Sequence, residues 1–210
     1  MAILFLILKI LGCVILVVLA WFVFVQTIIR LVRHFMHFPS PPFVPYLINN
    51  PIRRKFSPPE RVIDRVDIQE EMKVLEVGPG TGFYTFEAAR RTGPSGHVYA
   101  LDIEPKTIAK FDERIEQRGV KNITANVATA YEIPLPNNSI DRAFMVGALP
   151  EIPDKQKALR EIRRVLKEEG LLALAECLID PDYPFCKTEI GWCKDAGFEG
   201  STLFCVKMGN

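Results

Sequence analysis

Three glycines at alternate positions, Gly78, Gly80 and Gly82, follow the apolar run Val74-Leu75-Glu76-Val77. Glycine has no Cβ, so it accepts φ > 0 and lets the main chain approach a ligand closely. An apolar strand that carries an acid and breaks into such a turn marks the seat of a nucleotide-like cofactor in an open α/β sheet. Phe83 stands where a dinucleotide fingerprint has its third glycine. That departure disfavours NAD and FAD and favours a cofactor with no pyrophosphate to cradle. A second acid, Asp102, lies 20 residues beyond Gly82. A carboxylate there can accept both hydroxyls of a ribose, a charge-assisted bidentate contact that no neutral side chain matches. The competing reading of Asp102 is a surface acid at a strand end. Glu104 reads instead as the N-cap region of a helix opening at Pro105.

The elements that must position these residues alternate along the chain. Lys73–Val77 is expected as a buried strand, then a helix over 84–91 and a turn at Gly93-Pro94-Ser95-Gly96. A second strand over 97–101 ends in Asp102. A charged helix over 105–119 stops at Gly119. Ile123–Val127 and Ile140–Val146 are the third and fourth strands. A strong amphipathic helix over 154–168 leads through Gly170 into a fifth strand over 171–175. After the loop 180–184, a short helix over 187–196 and room for two small strands over 198–207 complete the chain. Strands alternating with helices imply a Rossmann-like, doubly wound and mostly parallel α/β sheet.

Four segments, VLEVGPGTG at 74–82, YALDIEP at 99–105, ATAYEIPLPNNSID at 128–141 and ALREIRRVLKEEGLLALAE at 158–176, occur in this order. In that order and spacing the chain resembles the class I S-adenosylmethionine-dependent methyltransferases, particularly the ubiquinone/menaquinone-type small-molecule branch, over about residues 60 to 200. The resemblance implies S-adenosylmethionine as cofactor. It implies that Glu76, Gly78, Gly80 and Gly82 hold its methionine end and ribose side. Asp102 would bind the ribose, and Ile103 would pack against adenine. Val146, with Gly147 and Ala148, would line the methionine and the transferring methyl. Ala128-Thr129-Ala130 matches a place where the family commonly has Gly-Asp-Ala, with the acid reading the adenine amino group; Thr129 brings a hydroxyl and no charge. Leu149-Pro150-Glu151 stands where relatives often carry a histidine or another polar group. No Asp/Asn-Pro-Pro-Tyr/Phe run is present there, which argues against methylation of nucleic-acid bases or glutamine amides. No catalytic residue is assigned. Glu151 is the candidate general base, set against a loop acid leading into a helix, and Tyr84 and Tyr131 are candidates for the pocket wall, set against core packing. Methyl transfer from a sulfonium needs alignment above all, and a base only when the acceptor arrives protonated.

The N-terminus is a different material. Residues 2–29 are almost all Leu, Ile, Val, Phe, Ala or Trp, and a bilayer core needs about 20 apolar residues as helix. Lys9 can snorkel to the interface. A cleaved signal peptide is the competing reading; it lacks a basic n-region, its apolar run is too long, and no small-x-small site precedes Arg30. Arg30, Arg33, Arg53, Arg54 and Lys55 all follow the run. The positive-inside rule then predicts a single-pass membrane protein with its C-terminal domain on the cytoplasmic side. The expected organisation is a transmembrane anchor over 1–32, a basic, proline-rich juxtamembrane linker over 33–57 and the cofactor-binding domain over 58–210. Within the linker, the basic segment 46–56 reads equally as a solvated strip on anionic lipid and as a lid, and 43–56 could wall an otherwise open pocket.

Twenty-six Lys and Arg against 25 Asp and Glu leave a net charge of +1, so no strong field points to nucleic acid. The five cysteines form no Cys-x-x-Cys pair and Cys186 and Cys193 have no histidine nearby, so no metal site is expected. The expected function is methyl transfer to a lipid or hydrophobic small molecule, the acceptor being a quinone, a phospholipid headgroup, an isoprenoid or a thiol. Competing readings are a protein methyltransferase, a non-catalytic cofactor-binding or scaffold protein, and a nicotinamide-dependent oxidoreductase, the last disfavoured by Phe83 and by the run over 158–176.

Overall fold

A computed structural model describes residues 1–35, 58–177, 186–199 and 203–208. Two compact units are present, Met1–Phe38 and Pro39–Asn210. The first is one helix, α1 (Ala2–Phe35). Its stretch Leu4–Val25 has 22 residues, mean hydropathy 2.8, and none of it is buried. At about 1.5 Å per residue that stretch is about 33 Å long, against a hydrocarbon core of about 30 Å. Lys9 Nζ sits 4.6 Å over the Phe5 ring, and the Thr27 hydroxyl returns to the Val23 carbonyl at 2.8 Å. By length and composition this stretch is long and apolar enough to cross a membrane.

The second unit is built on six strands: β1 (Lys73–Val77), β2 (His97–Asp102), β3 (Ile123–Val127), β4 (Ile140–Val146), β5 (Leu166–Cys177) and β6 (Leu203–Met208). Their order is β3-β2-β1-β4-β5-β6, and every pairing is parallel. On one face lie α2 (Pro59–Val66), α3 (Thr85–Thr92) and α4 (Pro105–Arg118), which share a core with Val74, Val98, Ala100 and Phe144. On the other lie α5 (Lys155–Val165) and α6 (Cys186–Asp195), packed with Leu75, Met145, Leu172 and Leu174. Each such aliphatic side chain, fully buried, stabilises the fold by roughly 1.5–3 kcal/mol.

Local chemistry places most boundaries. Glu104 caps α4, its side chain accepting from the Lys106 N–H, and Gly119 ends the helix in the left-handed conformation. Asp154 caps α5 by accepting from the Lys157 N–H at 2.9 Å. The helix expected over 154–168 ends at Val165, however, and the strand expected over 171–175 begins at Leu166. Helical propensity in Lys167-Glu168-Glu169 loses to tertiary bonding. Asn138 and Ser139 donate to the Arg164 and Val165 carbonyls, and the fully buried Leu166 pairs with Ile140. After α6 the described residues form one strand where two were expected, Leu203–Met208, paired with β5 along its length. From residue 36 onward, the expected linker and the 43–56 wall lie outside the described residues, as does the 180–184 loop.

Between β3 and β4 the chain has no helix; residues 128–139 form turns. Ala128, Ala130, Ile133 and Leu135 pack over the second core. Arg164 holds them by donating to the Ile133 and Leu135 carbonyls at 2.9 and 3.0 Å, and Glu161 accepts from the Ile133 N–H at 2.9 Å.

Candidate active site

The carboxyl ends of β1, β2 and β4 meet at one rim, and main-chain bonds fix them there. Gly78 donates to the Leu101 carbonyl at 2.8 Å, Ala128 to the Asp102 carbonyl at 3.0 Å, and Gly147 to the Ala175 carbonyl at 2.9 Å. Gly78, Gly80 and Gly82 all have left-handed φ, +77°, +56° and +78°. Two of them have no room for a side chain. A Cβ on Gly78 would stand 2.7 Å from the Ala148 Cβ, and one on Gly82 would stand 2.0 Å from the Phe111 ring. The turn is held from α4: Phe111 is fully buried against Gly82, and the Arg114 guanidinium donates to the Thr81 carbonyl. Arg118 lies 4.0 Å over Phe86, beside this clamp.

Two acids stand at the ends of neighbouring strands. Glu76 pairs in register with Ala100, two residues before Asp102. Its side chain is 1 % exposed, and Oε2 has no hydrogen-bond partner. Burial pushes Glu76 up to about 8, and the Asp102 charge adds to the rise. The Thr85 hydroxyl lies close enough to draw the value partly back, but Oγ1 makes no hydrogen bond within reach. Asp102 is half-buried and accepts from the Glu104 N–H at 3.0 Å and from the Gly80 N–H. Its pKa is raised, first by burial; the two N–H bonds oppose that, and the charges of Glu104 and Glu151 add to it.

Apolar surface brackets Asp102. Outside α1, Ile103 (61 %) and Val127 (51 %) are the exposed large hydrophobic side chains among the described residues, and Val127 is Asp102's register partner on β3. Exposed apolar side chains beside converging polar groups mark a ligand surface. Thr129 and Ala130 are half-buried in the turn after β3, and Val146 is half-buried at the end of β4. Glu151 closes a short 3₁₀ turn, Leu149–Glu151, and its charge reaches Asp102. Tyr131 is half-buried, and its hydroxyl accepts from the Asp154 N–H at 3.0 Å. Tyr84, a candidate for the pocket wall, is a core residue: it is 4 % exposed and packs edge-on to Phe83 at 5.0 Å.

Val127, Phe111 and Arg114 join the site without having been singled out in the sequence. An apolar residue closing an edge strand beside the acid was the signal for Val127. Phe111 and Arg114 gave none, because their contacts cross about 30 residues of chain. Among the described residues no group of three His, Cys, Asp or Glu is placed to hold a metal ion. Cys193 is free and buried, and burial pushes its thiol up to about 12.

A doubly wound parallel sheet, with a glycine turn after its first strand and an acid ending its second, is the arrangement of a class I S-adenosylmethionine-dependent methyltransferase domain, and the comparisons with known proteins decide for that class. The methyltransferase domain family matches residues 68–195, and the chain belongs to that family. It is similar to a demethylmenaquinone methyltransferase of Geobacillus stearothermophilus, 31 % identical over 115 residues, 55 % of this chain and 49 % of the relative. It is also similar to a ubiquinone/menaquinone biosynthesis C-methyltransferase of Pasteurella multocida, 35 % identical over 123 residues, 57 % of this chain and 46 % of the relative. The chain spans about half the length of these curated relatives. The crystal structure of a SAM-dependent methyltransferase from Aquifex aeolicus superposes with a TM-score of 0.69 at 28 % identity, covering 77 % of this chain and 90 % of that one. S-adenosylmethionine is the cofactor of this domain. The site's own chemistry suits it: an orphaned buried carboxylate oxygen awaits a cationic partner, and the glycine turn leaves the ligand no Cβ to displace.

Proposed function

We propose that the protein transfers a methyl group from S-adenosylmethionine to a hydrophobic, quinone-type acceptor at a membrane surface. The observation that carries the reading is Asp102 flanked by Ile103 and Val127: a ribose acceptor between two exposed apolar side chains that suit the faces of a purine. Glu76 and the turn over Gly78, Gly80 and Gly82 take the methionine end. Val146, Gly147 and Ala148 lie beside the methyl. Thr129 and Ala130 border the adenine, with a hydroxyl in place of a charge.

When bound, the cofactor supplies a methyl on a sulfonium, the leaving group being a neutral thioether. The chain's contribution is alignment of the acceptor atom behind that carbon, which accounts for most of such a rate enhancement. A phenolic acceptor becomes nucleophilic on losing a proton, and Glu151, at the end of the 3₁₀ turn, is the titratable group at that rim. The acceptor class rests on the quinone-methylating names of the relatives and on the apolar helix, which would let a lipid-soluble acceptor reach the domain along the bilayer. The basic residues after the apolar run, Arg30, Arg33, Arg53, Arg54 and Lys55, favour a single pass with the domain in the cytoplasm.

The test is titration of the detergent-solubilised full chain with S-adenosylmethionine, with Asp102→Ala beside it, followed by incubation with methyl-labelled cofactor and demethylmenaquinone. Micromolar binding lost in the variant, with label in the quinone, is expected. Binding without label in quinone, phospholipid or co-purifying protein favours the cofactor-binding scaffold, for which Thr129 speaks.

A further inference from the structure

We propose that cofactor capture is coupled to a proton: Glu76 stands as a neutral acid in the free protein and gives its proton to solvent when a cationic ligand fills the site. The inference rests on the cofactor reading above and concerns the charge state of one of its residues.

Glu76 lies two residues before Gly78, next to the last residue of β1, and is 1 % exposed. A carboxylate taken out of water without a partner keeps its proton, because neutralisation costs less than burying the charge. The groups facing it from each packed element make ionisation harder. From β2 the facing charge is Asp102, of the same sign. From α3 it is the neutral Thr85 hydroxyl, itself without a partner. From β4 its register partner is the apolar Phe144. Among the described residues no cation is a cause of the Glu76 shift, and the Arg114 guanidinium donates to the Thr81 carbonyl. The acid is therefore held near neutral pH, at about 8.

S-adenosylmethionine brings an ammonium and a sulfonium. A cation placed beside Glu76 reverses the balance: the ionised form gains a partner, the proton leaves to buffer, and the site's charge falls by one as the ligand's positive charge arrives. Affinity should then rise about tenfold per pH unit from pH 6 to 7, with about one proton released per ligand, and flatten above the free protein's pKa.

Calorimetric titration of the solubilised full chain with S-adenosylmethionine at pH 6.5, in buffers of differing ionisation enthalpy, counts that proton. About one proton released by the wild type, none by Glu76→Gln, and unchanged release by Asp102→Asn are expected. Should Glu76→Gln not fold, infrared difference spectra of the wild type substitute for it: a protonated carboxyl band must disappear as ligand binds. Binding without proton release, release that persists in Glu76→Gln, or release lost in Asp102→Asn while binding persists would each overturn the coupling and leave the cofactor reading intact. An absence of binding at every pH would overturn both.

Discussion

Gly82 and Gly147 have nearly the same left-handed backbone, φ +78° and +69°, and opposite surroundings. A Cβ on Gly82 would enter the Phe111 ring, while one on Gly147 would meet nothing within 4 Å. The contrast extends to the two rims they belong to. The rim after β1 and β2, which the proposed function gives to the cofactor, is packed from α4, bonded strand to strand, and carries the buried Glu76 and the half-buried Asp102. The rim after β4, beside which the proposed acceptor would sit, is a short 3₁₀ turn, Leu149–Glu151, that carries one carboxylate, Glu151.

Alanine at the two glycines gives the largest expected difference. Gly82→Ala combines a left-handed Cβ penalty of about 1–2 kcal/mol with overpacking of about 1–3 kcal/mol. Gly147→Ala carries the first penalty alone. Chemical denaturation should show Gly82→Ala less stable by about 3 kcal/mol or more, with cofactor binding abolished, and Gly147→Ala by about half that. Equal losses would mean that the cofactor rim is no more constrained than its neighbour.

Charge gives the next difference. Asp102→Asn keeps the shape and removes a charge-assisted bond, which costs about 1.5–3 kcal/mol, or about 10–100-fold in the Kd for S-adenosylmethionine. Glu151→Gln removes a like charge that raises Asp102. Its cofactor Kd should stay within about threefold or tighten, while turnover of a phenolic acceptor falls. Calorimetry and a pH–rate profile separate the two.

Stability against pH tests the same rim in the free protein. Glu76 rises from 4.5 to about 8 on folding, so the unfolded chain binds fewer protons in that window. Its contribution is fully present below pH 4.5 and lost as pH rises through 8. Asp102, also raised, acts in the same sense. Glu87, Asp141 and Glu161 are lowered by Arg90, Lys167 and Arg164, so their contributions vanish on the acid side instead. The melting temperature should therefore fall between pH 5 and 8, and Glu76→Gln should flatten that fall. A wild-type curve with no slope there would mean that Glu76 is ionised in the free protein.

The glycine turn and the elements around it were legible in the sequence because their devices are local. Glycines at alternate positions, an acid at a strand end and the Glu104 cap are all read within a few residues. What escaped was set by distant chain. The end of α5 moved to Val165 because the β3–β4 turn takes its last carbonyls, and Arg114 reaches Thr81 across 33 residues. Tyr84 looked like a wall residue by position, but β1 and α3 turn it inward against Phe83. The place of the acceptor stayed illegible for a physical reason: apart from Glu151, the turn Leu149–Glu151 after β4 carries no polar or charged residue type that would specify a partner.

The smallest effect probes the link between the rims. Tyr131 belongs to the turn after β3, and its hydroxyl accepts from the N–H of Asp154, which caps α5. Lys157 lies 5.3 Å over its ring. Tyr131→Phe keeps the ring and removes one bond at an exposed N–H that water can satisfy, so stability should fall by about 0.5–1 kcal/mol. If the rims are independent, the cofactor Kd stays within about twofold. The KM for a quinone acceptor then rises severalfold, because the segment between Glu151 and α5 loses its tether. If both constants move together, the tether also sets the turn at Thr129 and Ala130, and the acceptor rim takes its shape from the cofactor's side of the sheet.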